Sequence, residues 1–160
     1  MKARLFRRIL VPHDFSVQAK AALKVALDLA ARDATVTVLH VVTPPTSMAE
    51  IAWSDPDALR STLRKDLQKD VESTIPRPRC RVRYVVRVGE PVAAILAAAR
   101  TADSIVMSTL GQTGLAHFLV GSVAERVVRS SPVPVLTLRV ARKKTRSKAA
   151  RRISGRRRRG

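Results

Sequence analysis

Two short runs carry residue types that could hold a phosphate. Ser108-Thr109-Leu110-Gly111 is followed, nine residues later, by Gly121-Ser122-Val123. Glycine lets backbone N–H groups approach phosphate oxygens closely, and a helix opening near Ser122 would add unpaired donors and a favourable dipole. The Ser122 hydroxyl could face a phosphate or cap its own helix, because Glu125 stands at capping-box spacing. A strand–loop–helix junction needs glycines and a cap in either case, so spacing alone leaves both readings open. Neither a Walker loop nor a G-x-G-x-x-G fingerprint is present. Asp14 or Ser16, after Pro12-His13, could cap the start of the helix that follows.

The remaining reactive side chains form no recognisable constellation. His13 and Asp14 are adjacent, and adjacency in a strand sends side chains to opposite faces, so no dyad follows. His40 sits in an apolar run and reads as a satisfied core histidine, while His117 falls in the glycine-bearing loop. Three dispersed histidines and one cysteine offer no metal-ligand spacing. No G-x-S-x-G elbow is present. Cys80 lies between Arg79 and Arg81, which could depress its pKa, although a lone strand cysteine is more often inert.

The elements that must position these residues alternate in type. Ile9-Leu10-Val11, stopped by Pro12, has the signature of a buried strand. Ala19, Ala22, Leu23, Ala26, Leu27 and Ala30 then follow one helix face, with Lys20, Lys24, Asp28 and Arg32 opposite. Residues 35–42 are rich in β-branched side chains and predict a strand ended by Pro44-Pro45. Residues 46–56 read as a loop, and Asp57 to Ser73 as a polar helix. Residues 80–88 alternate arginine with Val and Tyr, which predicts a half-exposed strand nearer the sheet edge. Gly89-Glu90-Pro91 opens a helix with an apolar stripe of Val92, Ile95, Leu96 and Ala99. Ser104 to Thr109 is a fourth strand. The loop Gly111 to Gly121, a helix from Ser122 and a strand from Val133 to Val140 complete the order. Five strands alternating with four helices predict an α/β fold, an open parallel sheet with helices on both faces. Such sheets bind ligands beyond the carboxyl ends of their strands, where Pro12 to Asp14, Val41-Val42 and Ser108 to Gly111 fall.

Composition narrows the class. Apolar residues make up 46% of 160 and aromatics only 3%, so one domain with an aliphatic core is expected. A single cysteine excludes an intramolecular disulfide framework. No apolar run approaches the ~18 residues of a membrane span, and the N-terminus lacks a signal-like apolar stretch, so a cytoplasmic location is expected. Net charge is +19, and the last twenty residues hold eleven basic side chains and no acidic one. Residues 1–140 are therefore read as the folded domain and 141–160 as a disordered tail. Arg142, Lys143, Lys144, Arg151, Arg152 and Arg156, Arg157, Arg158, Arg159 suit nucleic acid or another polyanion. Without interleaved aromatics such binding would be phosphate-driven and sequence-blind. A tail that only solubilises the chain is the other reading.

Over residues 7–140 the sequence resembles the universal stress protein family. The resemblance rests on Arg8-Ile-Leu-Val-Pro-His-Asp-Phe-Ser16, Val38-Leu-His-Val41, Gly89-Glu-Pro91 and the closing block Val106 to Val135. That family's nucleotide pattern is glycine, two residues, glycine, nine residues, then glycine followed by Ser or Thr. Gly111, Gly121 and Ser122 match it, whereas the first glycine is Ser108 here. The resemblance implies a Rossmann-like, adenine nucleotide alpha hydrolase-like sheet and an ATP site, with Mg or Mn as an accompanying ion. It places Asp14 near ribose, phosphates or metal, Pro12 and Val41 at the adenine, and Met107 and Ser108 along the nucleotide. Gly111, Gly121, Ser122 and Val123 would hold the phosphates. The Cβ and hydroxyl of Ser108 occupy space the family glycine leaves open, so that position bears directly on ATP binding. The favoured expectation is a stress-response module acting by binding, with a homodimer through the last strand. No catalytic base or arginine finger is named by the sequence, so any ATP hydrolysis would be slow. The alternative is a scaffold without ATP that works through dimer contacts and its basic tail.

Overall fold

A computed structural model describes residues 6–43, 56–109 and 121–139. The loop expected after Pro45, Gly111 with the rest of 110–120, and the 141–160 tail lie outside the described residues. Five strands form one parallel sheet: β1 (Phe6–Pro12), β2 (Ala30–Val42), β3 (Arg81–Val88), β4 (Ser104–Ser108) and β5 (Val135–Leu138). Between them run α1 (Val17–Leu29), α2 (Pro56–Thr74), α3 (Pro91–Ala99) and α4 (Ser122–Ser130). The sheet order is β3-β2-β1-β4-β5, so the chain winds outward from β1 to one edge, then returns beside β1 to build the other.

The aliphatic composition is spent on two cores. Ile9 and Val11 of β1 point to one face with Val36, Val38 and Val106, where Ala22, Leu23, Ala26, Leu67 and Val71 of α1 and α2 cover them. Leu10 points the other way, with Leu39, Ile105 and Met107, under Val92, Ile95, Ala99, Ala124 and Val127 of α3 and α4. A strand buried on both faces cannot alternate polar and apolar residues, which is why Ile9-Leu10-Val11 reads as a continuous run. β3 does alternate and occupies a sheet edge, as expected.

Several boundaries differ from the sequence reading. β1 begins at Phe6, because Arg7 and Arg8 are strand residues whose exposed side chains hide the pattern. Ala30 is not the last member of the α1 stripe but its C-cap, in extended conformation, and already pairs with Phe6. A register shift between Phe6 and Arg8 absorbs the residues that separate Ala30 from Thr35. Pro56 starts α2 rather than ending a loop. β5 begins at Val135 instead of Val133, since proline cannot donate to a ladder and Pro134 contributes only its carbonyl, to Ile105 N–H at 2.9 Å. The Ser122–Glu125 capping box does not form: Gly121 is the N-cap, no side chain caps the helix, and Ser122 is its first residue.

Gly89 joins β3 to α3 at φ 138°, with nothing within 4 Å of the place a Cβ would take. Its role is conformational: a turn in a region closed to L side chains, followed by Glu90, whose carboxylate accepts Ala93 N–H at 2.7 Å. Gly89→Ala should cost about 1–3 kcal/mol despite the free space. Urea denaturation would show it, and an unchanged midpoint would contradict this account.

Candidate functional site

The carboxyl ends of β1, β2 and β4 and the start of α4 enclose a cavity of about 460 Å³. That volume is in the range of small-molecule pockets. Its walls include Pro12, Asp14, Val41, Met107, Ser108, Gly121, Ser122 and Val123, so eight of the nine residues singled out from the sequence converge on one space. The ninth, Gly111, lies outside the described residues. His13 and Thr109, within the runs expected at the strand ends, also line the cavity, as do His40, Thr43, Pro91 and Ile95, which the sequence did not point to. Pro91 and Ile95 come from the first turns of α3, a contribution visible only once α3 packs beside β2.

The turn after β1 is built around Phe15, which adopts φ 64° without being glycine. Backbone held there is strained and persists only where surrounding contacts determine it. Phe15 packs edge-on against His13 and His40, with ring centroids 5.7 and 4.7 Å away. The Asp14 carboxylate accepts from the Ser16 N–H at 3.1 Å and from the Ser16 hydroxyl at 2.5 Å. Ser16 Oγ in turn accepts the Ala19 N–H at 3.0 Å, capping α1. Ser16 is therefore the cap, and Asp14 orients it from the cavity wall. Such a cap contributes about 0.5–2 kcal/mol.

Gly121 is required for close approach rather than for an unusual dihedral. Its φ is −71°, open to any residue, but an added Cβ would stand 3.1 Å from the Thr109 carbonyl. Its N–H donates to that carbonyl at 2.6 Å, so it is not directed at the cavity. Thr109 also donates its N–H to Leu138 at 2.9 Å, tying the ends of β4, β5 and α4 together. The first N–H to close within α4 is that of Glu125, onto Gly121. The N–H groups of Ser122, Val123 and Ala124 thus have no partner inside the helix, and all three residues line the cavity.

His13 lies under the cavity floor with its side chain fully buried. Nδ1 accepts the Phe15 N–H at 3.1 Å, which puts the ring proton on Nε2, 3.6 Å from Asp70 of α2. Asp70 is held on its other oxygen by Lys20 Nζ at 2.6 Å. The sequence offered no signal for this cluster, which unites residues 13, 20 and 70. Burial lowers the His13 pKa below its ordinary 6.5, outweighing the attraction of Asp70 and Asp14. His40 is hydrogen-bonded, its Nδ1 lying 2.8 Å from the His13 carbonyl, as expected of a satisfied histidine. Cys80 does not behave as its arginine neighbours suggest: partial burial pushes its thiol pKa up, away from reactivity. Among the described residues no cluster of three or more His, Cys, Asp or Glu could hold a metal ion. No helix among them is long and apolar enough to cross a membrane.

The universal stress protein family model matches residues 5–139. The chain belongs to this family. A universal stress protein of Methanocaldococcus jannaschii is 32% identical over 145 residues, covering 87% of this chain and 85% of its own. A solved hypothetical protein that served as a test of assigning biochemical function from structure superposes with TM-score 0.74 at 27% identity, across 87% of this chain and 99% of that one. Two more distant universal stress proteins share the fold. One was solved in complex with cAMP (TM-score 0.61, 21% identity, 86% and 99% covered). The other, from Arabidopsis thaliana, was solved with AMP bound (TM-score 0.53, 16% identity, 90% and 98% covered).

A buried histidine with a lowered pKa should make this universal stress protein acid-sensitive in a defined window. Between the depressed folded-state pKa and 6.5, the unfolded chain takes up a proton that the folded chain does not. Stability therefore rises with pH through that interval and falls as pH drops below about 6.5, by at most about 1.4 kcal/mol per pH unit for one group. His13→Gln should flatten the dependence between pH 7.5 and 5.5 in urea titrations. An equally steep loss in the variant would assign the sensitivity elsewhere.

Proposed function

We propose that the strand-end cavity binds an adenine nucleotide, ATP in the first instance, and that the protein acts through this binding rather than through turnover. The observation that supports the reading is the convergence of an apolar half and a donor-rich half on one cavity. Pro12, Val41, Ile95 and Met107 offer the apolar walls a purine requires. The N–H groups of Ser122, Val123 and Ala124, which have no partner inside α4, with the Ser122 hydroxyl and the positive end of α4, suit phosphate oxygens. Asp14 is the carboxylate on the same wall and would meet ribose or a cation carried in with the phosphates. With one carboxylate and no preformed ligand cluster, the fit is to Mg or Mn held largely by phosphate and water. Such an ion would neutralise phosphate charge and orient the chain of phosphates. Gly121 supports the site by letting Thr109 and α4 approach each other.

The dimer we propose uses the β5 edge. Its Leu136 is 41% exposed, as is Val128 of α4 at 51%, and an isologous contact would pair the open backbone groups of two copies. We assign the basic tail, Arg142 to Arg159, to sequence-blind contact with polyanions.

Titration calorimetry with ATP and magnesium should give saturable binding in the native chain. Gly121→Val should abolish it, and Asp14→Ala should weaken it less. Ser108→Gly should tighten binding if the serine Cβ crowds the nucleotide. No saturation at millimolar ATP, in the native chain and in Ser108→Gly alike, would overturn the nucleotide reading and favour the scaffold without ATP.

Leu136→Arg should shift the protein to monomer at tens of micromolar in sedimentation while preserving its melting transition. A dimer that survives the change does not use this edge.

A further inference from the structure

The arginines of β3 are unexplained by the cavity or by the core. In the sheet register Arg81 lies beside Thr35, Arg83 beside Thr37 and Arg87 beside Val41. Thr35 in turn lies beside Arg8 of β1. Strand side chains alternate, so Arg8, Thr35, Thr37, Arg81, Arg83 and Arg87 share the sheet face of Leu10, Leu39 and Val85, which α3 and α4 cover only in part. All four arginines are exposed, and none forms an ion pair with a described residue. From Arg8, Thr35 and Arg81 onward the other positions of this face are Leu10, Pro12, Leu39, Val41 and Val85, so no acidic residue is interleaved there, and the one acidic residue of β2, Asp33, precedes Thr35.

The two aspartates at its lower rim are engaged elsewhere. Asp33 pairs with Arg7 at 3.4 Å, and Asp103 accepts the backbone N–H groups of Arg7 and Arg8 at 3.1 and 3.0 Å. Arg83 uses one donor, Nε, on the Thr37 hydroxyl at 3.3 Å, which orients the guanidinium, and its other N–H groups have no partner among the described residues. Arg81 and Arg83 are about 6.6 Å apart along the strand and Arg87 is about 20 Å from Arg81, given ~3.3 Å per residue.

We infer that this face is a docking surface for the phosphate backbone of a nucleic-acid duplex, adjoining the strand-end cavity at Pro12 and Val41 and running away from it along β3. Charge complementarity identifies the occupant. A row of guanidinium forks with no ion-pair partner among the described residues, and with hydroxyls between them, matches a row of phosphates, and arginine suits bidentate phosphate contact better than lysine. No aromatic residue stands on the face, so splayed single-stranded bases would find no stacking platform. No helix is presented for groove entry, so recognition follows the backbone and ignores sequence.

The test titrates full-length protein against two unrelated duplex DNAs over a range of salt. The native chain is compared with Arg81→Gln/Arg83→Gln/Arg87→Gln and with an equal charge change on the exposed side of α2, Arg64→Gln/Lys65→Gln/Lys69→Gln. Each lost phosphate contact lowers the log–log salt slope by about 0.9, so the β3 variant should lose between about 2 and 3 units on both duplexes. The α2 variant should stay near the native slope. Thermal melting establishes that both variants are folded, and Arg→Lys at the three β3 positions, keeping charge and fold, should restore most of the slope. An unchanged slope in the β3 variant overturns the proposal, and self-association of that variant would then identify the arginines as guards of an exposed strand edge. An equal fall in the α2 variant also overturns it, because net charge alone would explain the binding. The same proteins are titrated against anionic lipid vesicles, and a loss in the β3 variant confined to the vesicles also overturns it.

Discussion

Everything in this molecule depends on β1 being buried on both faces. Ile9 and Val11 enter one core and Leu10 the other, with β2 and β4 hydrogen-bonded on either side. No position from Ile9 to Val11 can then carry a functional group, and on this side the chain first emerges at its carboxyl end. Pro12 marks that emergence, and the residues after it are the first that can face a ligand. Because β4 lies beside β1 while β2 leaves on the other side, the helices diverge and a cavity opens between them. The site is thus a consequence of sheet topology before it is a consequence of any particular side chain.

The tight turn at Phe15 shows how the fold supports that opening. A left-handed conformation at a bulky residue is unfavourable, and two aromatic contacts with a local hydrogen-bond chain from Asp14 through Ser16 to Ala19 hold it in place. The same chain starts α1 and aims Asp14 along the cavity wall. Beneath it, His13, Asp70 and Lys20 tie α2 to the turn, so the far helix contributes to the rigidity of a site it does not line. Burial keeps His13 neutral, and the bond from Phe15 N–H to Nδ1 is compatible only with that state.

The two ends of the cavity answer to different physics. Its apolar half is inherited from the second core, since Ile95 and Met107 are core residues whose edges reach the opening. Its donor half exists because a helix must begin somewhere with unpaired N–H groups, and α4 begins there without a side-chain cap. The absent capping box has a chemical consequence: the Ser122 hydroxyl is not committed to its own helix. Away from the cavity, the partly uncovered edge of the same face leaves β3 free to carry arginines that a central strand could not bury.

Much was legible in the sequence because burial writes periodicity directly. The continuous Ile9-Leu10-Val11 run, the α1 stripe, the alternation of β3 and the Gly89-Glu90-Pro91 helix opening each stand where their patterns place them. The residues that the family resemblance implies for a nucleotide, Gly111 aside, line one cavity at the strand ends, a matter of position that periodicity alone does not give. Local pattern could not supply what depends on distant partners. Whether Ser16, Asp14 or Ser122 caps a helix is decided by backbone angles at the junction. Ala30 belongs to a strand only because Phe6 is there to pair with it, and Gly121 is glycine because the Thr109 carbonyl approaches. The His13–Asp70–Lys20 cluster joins three elements far apart in sequence, so no window of residues contains it. Sequence records which side chains must be hidden; only packing decides which polar groups are left facing one another.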